Sequence, residues 1–174
     1  MELRSEIEPQ LDIAEKHYPE ILKLILAYIG FCDENGDEDT SEYKKLEEKL
    51  HQLTQKDMAQ FNLSEWWEEE GAEVLSFRIS LPDPLLVKDI KKEELAEILN
   101  RIADFKQPDK NADDLTFKDQ FSFYLDSYYH RFLALNFKAY NYNKLFTKQK
   151  DNEKKEFWYT KNEKTALLWN GGKH

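Results

Sequence analysis

Apolar side chains recur along most of this chain at intervals of three and four residues, the period of helices that bury one face. Ile7, Leu11, Ala14 and Tyr18 hold that period, although Pro9 works against so early a helix start. Pro19 suits the first residue of a helix, after which Ile21, Leu22, Ile25, Leu26 and Ile29 form one stripe. Leu24 and Tyr28 widen the stripe, which predicts a helix buried on most sides. Asp33 to Asp39 reads as an acidic loop. Asp39-Thr-Ser-Glu42 resembles a capping box, with Thr40 and Ser41 as rival caps. It would open a second helix running to about Phe61 and burying Tyr43, Leu46, Leu50, Leu53 and Met58, the partner of the first in a helical hairpin.

Ser64 can cap a short helix over Glu65–Glu70 that Gly71 ends, with Trp66 and Trp67 on different sides. Val74 to Leu81 alternates weakly, so a strand is expected over about 73–81, stopped by Pro82-Asp-Pro84. Asp89 can cap a helix to about Phe105 with Leu95, Ile98, Leu99 and Ile102 inward; Gln107 to Asp114 reads as loop. Past a charged loop, Lys148 to Lys155, the segments Glu156–Thr160 and Thr165–Asn170 look like a hairpin around Lys161-Asn-Glu-Lys164. The tail, 171–174, is expected to be loose.

Between Phe117 and Phe146 lie eleven aromatic residues in thirty positions. Phe117, Phe121, Tyr124, Tyr128, Phe132, Leu135, Ala139, Tyr142 and Phe146 step by three and four, a helical stripe that Asp114 could cap. Leu133, Leu135, Phe137 and Ala139 also alternate, so helix and strand compete over 131–146. A helix over about 115–138 is the preferred reading. Burying nine such side chains is worth a gross of about 14–27 kcal/mol, which argues that the stripe is core. Tyr129, Phe137 and Tyr140 lie off it and are expected to be available for contacts.

The resulting fold expectation is a helix-dominated α+β protein, a single domain over 1–174. It has about five helices and a small antiparallel sheet of 73–81, 156–160 and 165–170. The 174 residues suffice for one core. Cys32 is the sole cysteine, which excludes an internal disulfide and a multi-cysteine metal cage. No signal-like or membrane-spanning apolar run occurs, so a cytoplasmic protein is expected. Charge is uneven. Residues 1–90 carry 22 Asp/Glu against 9 Lys/Arg, whereas residues 131–174 carry 4 against 10.

Candidate chemistry is sparse. With Gly36 at the sixth position of an EF-hand loop, Asp33, Asn35, Asp39 and Glu42 fall on ligand positions. Phe31 then stands where the first carboxylate is needed and Glu38 where an apolar residue packs. Beginning the loop at Asp33 puts Glu38 at the glycine and Lys44 at the bidentate glutamate, so neither frame works. Glu48 and His51 share a helix face, but a di-iron site needs a second such pair. Asp126 and His130, at i and i+4, could orient an imidazole for base chemistry or offer two zinc ligands; they equally form an ordinary helix pair. His17 and His174 belong to no constellation. No G-x-S-x-G or phosphate-cradling glycine loop is present. Glu65-Trp-Trp-Glu-Glu-Glu70 reads as an amphipathic helix or, less simply, as a sugar site.

Function is therefore expected to lie in binding, with no cofactor and no metal. The acidic half suits a basic protein partner met through Asp33, Glu34, Asp37, Glu38 and Asp39, with Trp66, Glu68, Glu69 and Glu70. In character this is similar to the small acidic immunity proteins that cover basic toxin domains, although no residue motif carries that likeness. Homo-oligomers are compatible with the same surface. Two rival readings stand beside it. One is a single-stranded nucleic-acid binder using the lysines and aromatic rings between Lys138 and Lys164. The other is an enzyme centred on Asp126 and His130.

Overall fold

In a computed structural model, residues 1–64, 71–103 and 115–174 are described. The expected helices over 65–70 and beyond Ala103, and the loop over 107–114, lie wholly or partly outside them. Along the chain come α1 (Leu11–Asn35), α2 (Ser41–Thr54), a 3-10 turn (Met58–Gln60), α3 (Ala72–Ser80), α4 (Lys92–Ala103), α5 (Phe117–Phe121), a second 3-10 turn (Ser122–Tyr124), α6 (Leu125–Asn136), α7 (Tyr142–Leu145), β1 (Gln149–Lys150), β2 (Glu156–Phe157) and α8 (Lys161–Asn170). Helices dominate as expected and outnumber the expected five. The chain divides into two compact units: Gln10–Pro82, and a split unit of Met1–Pro9 with Asp83–His174.

In the 10–82 unit, α1 packs on α2 and α3. It is one helix with Pro19 inside it, where a start was expected. Proline leaves the Glu15 carbonyl without its helical donor. Glu15 is exposed, so water can replace that bond, and Ala14, Ile21 and Ile25 are buried on both sides of the proline. The second helix closes early: Gln55, at φ 58°, donates its N–H to the His51 carbonyl (2.7 Å). The strand expected over 73–81 is α3. Ala72, Leu75, Ser76, Phe77, Ile79 and Ser80 are all buried, and a strand there would need ladder partners on its edges. A helix satisfies its own backbone, and its hydroxyls turn inward as well: Ser76 Oγ donates to the Ala72 carbonyl (2.6 Å), Ser80 Oγ to that of Phe77 (2.9 Å). Ile21, Ile25, Leu46, Leu50, Phe61, Leu63, Leu75 and Ile79 make up most of this unit's core.

In the split unit, α4 packs on α6 and α8. The first nine residues join them through charge and apolar burial together. Leu3 and Ile7 are buried, and Arg4 Nε donates to Glu94 Oε1 (2.7 Å). Asp89, expected to cap α4, instead accepts from Arg4 Nη1 (3.1 Å). The cap comes from Glu94, whose Oε2 accepts from the Lys91 N–H (2.8 Å). Burial pushes the Glu94 carboxyl up; Arg4 and the Lys91 N–H outweigh it and hold it below the usual range. Arg101 Nη1 likewise ties Glu8 (2.7 Å) to the Tyr129 hydroxyl (2.7 Å).

The aromatic segment is interrupted. Thr116 and Asp119 form a reciprocal capping box for α5, the role expected of Asp114, which lies outside the described residues. A 3-10 turn separates α5 from α6, and α6 ends at Asn136. Phe121, Tyr128 and Phe132 of the stripe are buried, but Leu135, on the last turn of α6, is 41 % exposed, and Tyr142, past the helix end, is 50 % exposed. Tyr129 and Phe137, expected to be available for contacts, are instead buried at 5 % and 1 %.

The sheet is antiparallel and two-stranded, pairing Gln149 with Phe157 and Lys150 with Glu156. Only 156–157 of the expected strands contributes. The stretch 165–170 belongs to α8, because Thr160 and Glu163 form a capping box where a hairpin turn was expected. The tail beyond it is bonded to the body of the unit. Lys138 N–H donates to the Gly172 carbonyl (3.0 Å), and His174 N–H to that of Asn136 (3.2 Å). Gly171 sits so close to Ala139 that an added Cβ would lie 2.2 Å from the Ala139 Cβ.

Candidate functional site

The acidic residues between α1 and α2 divide into two groups. Asp37 and Asp39 are structural. Asp37 Oδ2 accepts from the Tyr43 N–H (2.8 Å) and Oδ1 from that of Glu42 (3.2 Å), capping α2 where the side chains of Thr40 and Ser41 were expected to. Thr40 has φ 58° and its side chain makes no cap. Asp39 Oδ1 accepts from the Ser41 N–H (3.0 Å), and that bond holds its carboxyl below the usual range. The Tyr28 hydroxyl donates to Asp37 (3.3 Å); burial first, then Cys32 and Asp37, push this phenol up. Asp33, Glu34 and Glu38 form the other group. All three are exposed, and none makes a side-chain hydrogen bond or ion pair to another described residue.

Beside this acidic end is a groove of about 240 Å³ between the two helices. Leu24, Ala27, Tyr28 and Phe31 line it from α1; Glu42, Lys45, Leu46 and Lys49 line it from α2. Nothing in the sequence reading singled it out. Its signal was there: Leu24, Ala27, Tyr28 and Phe31 make a second helical row alongside the core stripe. Trp66, Glu68, Glu69 and Glu70, expected to share the partner face, lie outside the described residues.

The other candidates dissolve into local structure. His51 Nδ1 lies 2.7 Å from the Lys56 carbonyl and Glu48 accepts from Gln52 (3.3 Å), so each has its own partner. Among the described residues, no group of three or more His, Cys, Asp or Glu could hold a metal ion. No described helix is long and apolar enough to cross a membrane.

Asp126 and His130 share a helix, but no hydrogen bond joins them among the described residues. His130 Nδ1 instead lies 3.1 Å from the Tyr140 hydroxyl. The imidazole stands edge-on to Phe146 (centroids 4.5 Å apart) and Tyr142 (5.0 Å), and Lys164 Nζ sits 4.5 Å over the Phe146 ring. Burial pushes His130 below its ordinary range, with Asp126 opposing and Lys164 assisting. Burial also pushes Tyr140 up to about 12. The arrangement packs a neutral imidazole among aromatic rings, with Nδ1 facing the Tyr140 hydroxyl and not Asp126.

An imidazole whose folded pKa is lowered contributes stability that is present above the unfolded value, about 6.5, and lost as pH falls through the folded one. Urea midpoints should therefore drop between about pH 7.5 and 5.5 in the wild type. His130→Gln should flatten that arm, since the lowered carboxylates act only at lower pH.

Charge separates cleanly between the two units. Residues 10–82 carry 17 Asp/Glu against 7 Lys/Arg; the split unit carries 18 against 18. The fold and this surface define a helical protein of two compact units with an exposed acidic hairpin end on one of them. Compared with known protein families, curated proteins and solved structures, the chain has no match.

Proposed function

We propose that the chain is a protein-binding module whose 10–82 unit meets a basic partner protein through the α1–α2 turn. An immunity-like neutraliser of a basic protein is one role of this kind. The carrying observation is the division of charge: the whole formal net charge of −10 falls on residues 10–82, the other unit being neutral. A surface with a large net charge of one sign accelerates encounter with a partner of opposite sign and disfavours others. Asp33, Glu34 and Glu38 suit the contact because their carboxylates are exposed and bond no other described residue, whereas Asp37 and Asp39 are committed to capping α2.

The nucleic-acid reading draws on Tyr142 and Trp158, 50 % and 57 % exposed, and on the exposed Lys138 and Lys144. The neutral charge of that unit gives polyanions little attraction, so the protein partner is preferred. The test is a purification of the full chain with its binding partner, followed by association kinetics on the wild type and the triple reversal D33K/E34K/E38K. The triple variant should keep its helical signal and associate at least about tenfold more slowly at low salt; the wild-type rate should fall as salt rises. Equal rates for the two proteins would overturn the proposal. So would recovery of RNA alone.

A further inference from the structure

We infer that the α1–α2 groove seats one apolar side chain of that basic partner, presented beside Lys or Arg residues that meet Asp33, Glu34 and Glu38. The inference rests on the proposed function and names the contact that would hold the complex once charge has assembled it.

Size narrows the occupant. At about 240 Å³ the groove lies below the roughly 300–1,000 Å³ of pockets that enclose small-molecule ligands. It suits a single large side chain. Leu24, Ala27, Phe31 and Leu46 give it apolar walls, and Phe31 is left 37 % exposed at its edge. An anchor in an apolar pocket ringed by polar groups is how a few residues come to carry most of an interface's affinity.

Charge then orients the occupant. The turn end of the groove carries the three exposed carboxylates of Asp33, Glu34 and Glu38. Lys45 on the rim is neutralised by Glu42 at 2.5 Å. Lys49 stands one turn further along α2, away from the acidic end. The surface thus runs from negative, through apolar, to positive. A segment that reads basic and then apolar matches it; an acidic one is repelled at the turn.

The test uses the isotope-labelled full chain and short synthetic peptides, followed by amide chemical shifts. One peptide carries lysines and arginines on one side of a single leucine and uncharged residues on the other. A second has alanine in place of that leucine, and a third keeps the leucine with glutamates in place of the lysines and arginines. The basic leucine peptide should move the Ala27, Phe31 and Leu46 amides and bind at least about tenfold more tightly than the alanine peptide. The glutamate peptide should not bind. Ala27 is exposed on α1, so Ala27→Trp should fill the groove without disturbing the fold. It should reduce the leucine peptide to the affinity of the alanine one. Equal binding of the leucine and alanine peptides, or no effect of Ala27→Trp, would overturn this inference and leave the charge-based proposal standing. If no basic peptide bound in a way that D33K/E34K/E38K abolished, both would fall.

Discussion

Replacing Asn136 with leucine is expected to destabilise the split unit by about 2–4 kcal/mol, against a typical total of 5–15. Asn136 is 1 % exposed at the last turn of α6. Its Oδ1 accepts from the Val87 N–H (2.7 Å), and its Nδ2 donates to the Leu85 carbonyl (3.0 Å) and the Phe132 carbonyl (2.9 Å). Leucine keeps the branching of asparagine but is bulkier at its two methyl ends, so some overpacking adds to the loss of the hydrogen bonds. The Val87 N–H is left buried with no acceptor, which costs its full desolvation. Phe132 keeps its helical donor, and Leu85 is nearer water, which holds the estimate to the low end. Asn136→Asp separates donor from acceptor. An ionised carboxylate still accepts from Val87 but faces the Leu85 carbonyl without a proton to offer. Burial should raise its folded pKa, so the variant is most stable below the unfolded value of about 3.9 and weakens as pH rises. Urea midpoints over pH 4 to 8, read against the wild type, check both variants.

Phe132→Ala should cost about 3–5 kcal/mol, the range for a fully buried phenylalanine whose site cannot collapse. Phe132 is 0 % exposed on α6, among Tyr128, Tyr129 and Leu133, which are also buried. Phe123, nine positions earlier, is 60 % exposed on the 3-10 turn. Phe123→Ala should change stability by less than about 0.5 kcal/mol. The pair tests whether the aromatic segment is a uniform wall or a wall only where α6 faces inward. Equal losses for the two, measured by chemical denaturation, would contradict the burial described above.

Helical periodicity was legible where one element carried it from end to end. Of the stripe Ile21, Leu22, Ile25, Leu26 and Ile29, Ile21 and Ile25 are buried but Leu26 is 50 % exposed, so α1 is not buried on most sides; Leu46 and Leu50 of α2 and the row Leu95–Ile98–Leu99 of α4 face inward as the spacing implies. The aromatic stripe was legible up to Phe132 and misleading after it. Leu135 already faces out on the last turn of α6, and past Asn136, where the helix stops, the spacing no longer marks one face. Capping chemistry was written in the chain at Thr160-Lys-Asn-Glu163 and read as a turn, because Asn and Lys suit both. Residues 73–81 could not be assigned from pattern alone: a short run with apolar residues at 74, 75, 77, 79 and 81 fits a weakly alternating strand and a buried helix equally.

The candidate site divides along similar lines. Its acidity was plain from composition. Which carboxylates remain available was not, because a carboxylate that caps a helix and one that faces water look alike in a sequence. Asp37 and Glu38 are adjacent, yet one closes α2 and the other bonds no described residue. The groove beside them needs Leu24 and Leu46 brought together from two helices.

What the sequence determined by itself is a helix-rich, strongly acidic chain whose apolar stripes set the inward faces, since period and charge are local properties that survive any arrangement. What only the tertiary structure decided is the allocation of polar groups. Glu94 is buried because Arg4 lies against it, and Asn136 because the Leu85–Val87 backbone lies beside it, contacts separated by about fifty to ninety residues. Such pairings follow from which segments meet in space, a non-local outcome that no period encodes.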